Sequence, residues 1–102
     1  IDYVTYNVTG ITNQDYIVKW YIEYTNQKAR RSTEVEIDID GQTYSEIGYP
    51  LDNSDQTTYS GFIIDTFAAN FDITIRFRRA TGGGGGNNTG VINSARVLVA
   101  SW

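Results

Sequence analysis

Cysteine, histidine and methionine are all absent from this chain of 102 residues. Without cysteine there is no disulfide framework, no thiolate nucleophile and no thiolate-held zinc or iron–sulfur cluster. Without histidine, the Ser-His-Asp and Cys-His types of catalysis and imidazole metal ligation go as well. Cations are scarce too: 8 Lys plus Arg stand against 12 Asp plus Glu, a formal net charge of -4. Scattered charge of that sign argues against general binding to a phosphate backbone. No apolar run approaches the roughly 18 residues of a membrane helix, and nothing at the start reads as a signal segment. The expectation is one domain over 1–102, with neither nucleic acid nor membrane as partner.

Present in quantity are ten Gly and fourteen aromatics, eight of them Tyr. A 40% hydrophobic fraction is enough for a core. A core this small, without disulfide or metal, commonly gains stability from oligomerisation. The first residue is Ile1 rather than Met, so we read the chain as processed, trimmed, or part of something longer.

The hydrophobic period is two almost throughout. Phe71 to Arg78 alternates apolar and polar for eight residues, and Glu34 to Asp40 alternates as strictly. On a helix those apolar residues would scatter around the cylinder, so both segments are strands. Asp40-Gly41 suits a two-residue type I′ turn, which would pair Ile39 with Gln42 and Ile37 with Tyr44. Tyr44 then joins the core, while Ile47 falls on the other face and suggests a bulge or the end of the strand. Along Tyr16–Tyr24, Val18, Trp20, Ile22 and Tyr24 form the inner set, and Ile17, Lys19, Tyr21 and Glu23 the outer. Tyr3–Val8 is expected to turn Val4, Tyr6 and Val8 inward. Thr57–Ile64 is expected to turn Phe62 and Ile64 inward, and Val91–Trp102 to turn Ala95, Val97 and Val99 inward. Asp65–Asn70 is too short to be more than a turn. Seven to eight short antiparallel strands imply an all-β domain, a β-sandwich of jelly-roll type.

Each chemically suggestive cluster has a plain alternative. Asp52-Asn53-Ser54-Asp55 offers oxygen ligands, yet it lacks the glycine and distal glutamate of a calcium loop, and Asx-turn chemistry accounts for it. Glu34, Glu36, Asp38 and Asp40 recur every second residue, the pattern of a solvated strand face rather than of an acid–base pair in a cleft. No enzyme activity and no cofactor or metal are expected. Arg76, Arg78 and Arg96, with Arg30, Arg31 and Arg79, form a basic set in an acidic chain. They fit either cross-strand ion pairs or a patch for acidic sugars or a neighbouring subunit. Strand parity turns Tyr21, Tyr49 and Tyr59 outward or onto loops, where tyrosine serves interfaces and sugar-binding surfaces. Five consecutive glycines, Gly82, Gly83, Gly84, Gly85 and Gly86, make a candidate mobile loop, since ordering them costs the most backbone entropy. Two glycosylation sequons, Asn7-Val8-Thr9 and Asn87-Asn88-Thr89, are short enough to arise by chance.

The order of landmarks carries a resemblance. It runs from the Asp40-Gly41 hairpin through Tyr49-Pro50-Leu51-Asp52-Asn53-Ser54-Asp55 and Tyr59-Ser60-Gly61-Phe62. Then come the Ile73–Arg78 strand, the glycine run and Ile92-Asn93-Ser94-Ala95-Arg96-Val97. Over about residues 16–102 this resembles a small jelly-roll domain of tailed-bacteriophage virion proteins, of the tail-fibre and capsid-surface type. It departs at Asp65–Asn70, where relatives tend to carry a Ser/Ala-Gly-x-His-like turn, and at the long glycine run. The resemblance implies a structural or adhesive module on the virion surface, outside the cell, assembled as a homotrimer beside neighbouring virion proteins. Two alternatives stand beside it: a carbohydrate-binding module recognising a surface glycan, and a filament subunit that hands strand Ile1–Val8 to its neighbour.

Overall fold

The structure, a computed structural model, describes residues 3–26, 33–48, 56–78 and 90–102. They form seven strands and no helix: β1 (Tyr3–Val8), β2 (Gln14–Asn26), β3 (Thr33–Ile39), β4 (Gln42–Gly48), β5 (Gln56–Phe67), β6 (Phe71–Arg78) and β7 (Gly90–Ala100). Two antiparallel sheets result, a four-stranded one in the order β1-β6-β3-β4 and a three-stranded one in the order β5-β2-β7. The domain is an all-β sandwich.

The β3–β4 hairpin follows from two residues. Asp40 and Gly41 both take positive φ, 51° and 83°, which matches the twist of the flanking strands. Asp38 braces the turn by accepting from the Gly41 amide at 2.9 Å. Ile37 pairs with Tyr44 and Ile39 with Gln42 as the sequence predicts. Ile47 lies on the outer face, 56% exposed, one residue before β4 ends at Gly48, so of the two expected causes it is the strand end and not a bulge. The pairing continues without a shift to Thr33 opposite Gly48.

The core lies between the sheets. β2 supplies Tyr16, Val18, Trp20, Ile22 and Tyr24, and β3 and β6 answer with Val35, Ile37, Ile39, Phe71, Ile73 and Ile75. Aromatic rings fill the gap: Phe67 stacks on Phe71 at 4.3 Å, and Trp20 packs against Tyr44 at 5.7 Å and Tyr59 at 5.8 Å. Such pairs contribute beyond their buried area. Val4, Tyr6 and Val8 turn inward as expected, and the Tyr6 hydroxyl donates to the Ala95 carbonyl at 3.2 Å, tying β1 to β7 across the sandwich. β1, the strand that a strand-exchange filament would donate, pairs with β6 of its own chain from Tyr3–Arg76 to Val8–Phe71.

β5 overturns a sequence expectation. Tyr59 and Phe67 are buried and Ile63 packs on the core, whereas Phe62 and Ile64 are 60% and 55% exposed. The parity of the whole strand is opposite to the one read from its apolar run. Gly61 decides it: a Cβ there would stand 2.6 Å from Cζ2 of Trp20, so the indole occupies the space a side chain would need. With Gly61 facing in, its even-numbered neighbours face out.

Candidate functional site

The inverted parity of β5 gives the three-stranded sheet an unusual outer face. β2 lies in the middle, and cross-strand pairing arranges the residues in rows. Ile64, Ile17 and Ala100 make the first row. Phe62, Lys19 and Leu98 make the second, and Ser60, Tyr21 and Arg96 the third. Thr58, Glu23 and Ser94 make the fourth. Phe62, Ile64 and Leu98 are each more than half exposed. Lys19 and Arg96 are exposed, while Ile17 and Tyr21 are half-buried between their neighbours. An open depression of about 570 Å³ lies over the second and third rows, within the size range of small-molecule sites, roughly 300–1,000 Å³.

Two devices fix this face. The Arg96 guanidinium sits 4.9 Å from the centre of the Tyr21 ring, a cation–π contact that aligns the long side chain along the sheet. Beyond it, β7 carries a register shift opposite Glu23 and Tyr24. The extra residue, Asn93, donates to Thr25 at 2.7 Å and to Gln56 at 2.9 Å. Glu23 accepts from Gln56 at 2.5 Å and from Ser94 at 3.0 Å. This polar network spans all three strands and stiffens one end of the face. At the other end, the Thr66 hydroxyl donates to Asp15.

The residues singled out from sequence are dispersed. Tyr21 and Arg96 meet on this face. Tyr59 does not point outward; it belongs to the core, edge-on to Trp20. Arg76 lies on the opposite sheet, where its guanidinium covers the buried Glu36 and reaches Asp38 at 3.7 Å. It performs the cross-strand pairing weighed for it, offsetting the cost of a buried carboxylate. Arg78 stands opposite Glu34 by register, and its side chain lies outside the described residues. Tyr49, the Pro50–Asp55 loop, Arg30, Arg31, Arg79 and Gly82 to Gly86 also lie outside them. Among the described residues, no three carboxylates gather as a metal site would require.

A second polar cluster lies inside the sandwich at the β4–β5 side. Glu46 faces inward, and burial pushes its carboxyl above the usual range. Its charge adds to burial in raising both Tyr24, pushed up to about 12, and Tyr59. The Tyr24 hydroxyl is fully buried and makes no hydrogen bond among the described residues. Thr57 acts on this phenol in the opposite, lowering direction and is the smallest of the three influences. This cluster is a cost to folding.

No family model matches this chain. No curated protein and no solved structure matches it either. The outer face of the three-stranded sheet is the feature that points to a function. Sequence reasoning found Tyr21 and Arg96 but missed Phe62, Ile64 and Leu98 as exposed residues. The available signal was the spacing of Tyr59, Gly61, Ile63 and Phe67, all odd-numbered, around the apolar run.

Proposed function

We propose that this domain is a non-enzymatic structural and adhesive module of the virion-surface type, which works by binding through the outer face of its three-stranded sheet. The observation that carries the reading is that face itself. Three large apolar side chains stand exposed around two cations, beside a depression that is open among the described residues. An exposed apolar patch of about 300 Å² on a small domain is often functional. A jelly-roll type of sandwich is supported by the connectivity, since every connection except β3–β4 passes from one sheet to the other. The virion setting rests on the resemblance in the order of landmarks.

Assembly into a homotrimer belongs to the same proposal. Nine residues of the outer strand β5, Gln56 to Ile64, contain no charge and no proline, the features that normally guard a sheet edge. Contact between copies along this edge leaves the outer face free. Labelled protein offered to a panel of bacterial envelopes tests the reading. Wild-type protein is expected to be retained by at least one envelope, and Phe62→Ser combined with Leu98→Ser to lose that retention at least tenfold. Retention by none, or equal retention of the variant, overturns it.

A further inference from the structure

The outer face of the three-stranded sheet holds two exposed cations, Lys19 and Arg96, that form no ion pair among the described residues. Lys19 makes no hydrogen bond or ion pair among the described residues, and the partner of Arg96 is the Tyr21 ring. By register they are diagonal neighbours, Lys19 opposite Leu98 and Arg96 opposite Tyr21, roughly 7–8 Å apart at the backbone. Glu23, one row beyond Arg96, is engaged by Gln56 and Ser94 instead. In a chain of net charge -4, two exposed cations side by side on an apolar face, neither ion-paired among the described residues, point to a compact anionic ligand that stops short of Glu23.

Resting on the binding surface argued above, we propose that this depression takes a saccharide unit bearing a carboxylate. The carboxylate lies between the Lys19 ammonium and the Arg96 guanidinium, the latter pre-aligned by Tyr21. Phe62, opposite Lys19 and 60% exposed, offers its ring to the C–H face of the sugar. Ser60, opposite Tyr21, offers a hydroxyl to the sugar's own.

Competing occupants fit less well. Two copies stacked face to face would bring four cations together. The apolar part spans three strands and three rows, roughly 300 Å² per side at ~4.8 Å between strands and ~6.8 Å between rows. The pair would bury roughly 600 Å², short of the ~1,000 Å² of a specific protein interface. A polyanion running along the strands would meet Asp15 and Glu23, which bracket the site on β2 about 27 Å apart. A neutral sugar would cover both cations and leave them unpaired, which is costly.

The test is an array of single terminal sugar units paired so that members differ only in a carboxylate, such as galacturonate with galactose and glucuronate with glucose, each as the methyl glycoside. Carboxylated members are expected to bind at least tenfold more tightly, and free glucuronate to compete. Raising salt from about 50 to about 500 mM should weaken binding, because the charged contacts are exposed. Lys19→Gln and Arg96→Gln should each weaken it about tenfold or more, as loss of a charge-assisted contact does, with unchanged melting temperatures. Equal binding of neutral partners, no binding on the array, or loss with Phe62→Ser but with neither cation variant overturns the carboxylate inference. Each leaves the binding surface itself to be judged by envelope retention, and retention lost with Phe62→Ser but blocked by a protein rather than by a saccharide reassigns the ligand.

Discussion

Replacing Tyr24 with Phe should stabilise this protein, and the gain should grow at alkaline pH. The Tyr24 ring is fully buried and packs on Phe77 at 5.5 Å, a contact that phenylalanine keeps. Its hydroxyl makes no hydrogen bond among the described residues and abuts Gly48, where a Cβ would stand 2.5 Å from the oxygen. A buried polar group without a partner costs about 1–3 kcal/mol, and removing it without leaving a hole recovers much of that. We expect Tyr24→Phe to add about 1–2 kcal/mol at pH 7, a rise of roughly 4–16 °C in Tm at about 4–8 °C per kcal/mol. The alkaline arm follows from the raised phenol, pushed up to about 12. The unfolded chain releases this proton near pH 10 and the native one only near 12, so stability falls as pH rises through that interval. The loss from this one residue approaches roughly 2–3 kcal/mol by pH 12, and about half of it is present by pH 11. Urea unfolding of both proteins at pH 7 and pH 11, followed by tryptophan fluorescence, measures both effects. A variant less stable than wild type at pH 7, or an unchanged gap at pH 11, would refute the reasoning.

Three other outcomes follow from the same packing. Glu46→Gln should stabilise the protein at neutral pH. Because burial raises the native carboxyl, wild-type stability is highest below the ordinary carboxylate range and falls as pH rises through the native value, whereas the Gln variant should lack this contribution; parallel stability–pH curves would contradict it. Gly61→Ala should cost about 2 kcal/mol or more by driving a methyl into Trp20, measurable as a lower urea midpoint, and a neutral effect would show that the indole yields. Arg76→Met should cost about 1.5–3 kcal/mol because it removes a charge-assisted bond to Glu36, 2% exposed, and Arg76→Met with Glu36→Met should recover most of it. Denaturant titration of the single and double variants decides this, and an equally unstable double variant would place the defect elsewhere.

The sandwich was legible because alternation over β2, β3 and β6 is strict enough to place each inner set, and the Asp40-Gly41 turn then pins the register of a hairpin. The site was legible only in part, and the reason is local to β5. Phe62, Ile63 and Ile64 are apolar at three successive positions, so alternation cannot choose a face there. Choosing the wrong one turns Tyr59 outward and hides Phe62 and Ile64 together. What chooses is a contact 41 residues away along the chain: the Trp20 indole requires the bare backbone of Gly61. The basic residues were ambiguous for a similar reason. Arg76 and Arg96 both sit on outer faces, but β3 offers Arg76 a carboxylate while β2 offers Arg96 a tyrosine ring. Only the strand order of the two sheets separates a paired arginine from an available one.

The central claim is that the outer face of β5, β2 and β7 is the working surface, and shift mapping tests it most directly. Backbone amide resonances are recorded while the methyl glycoside of galacturonate is titrated into the full chain. We predict that perturbations cluster on Ile17–Tyr21, Ser60–Ile64 and Arg96–Leu98, with the four-stranded sheet unaffected. The absence of any perturbation at saturating saccharide would overturn the carboxylate inference alone, whereas perturbations centred on β3, β4 or β6 would contradict the central claim.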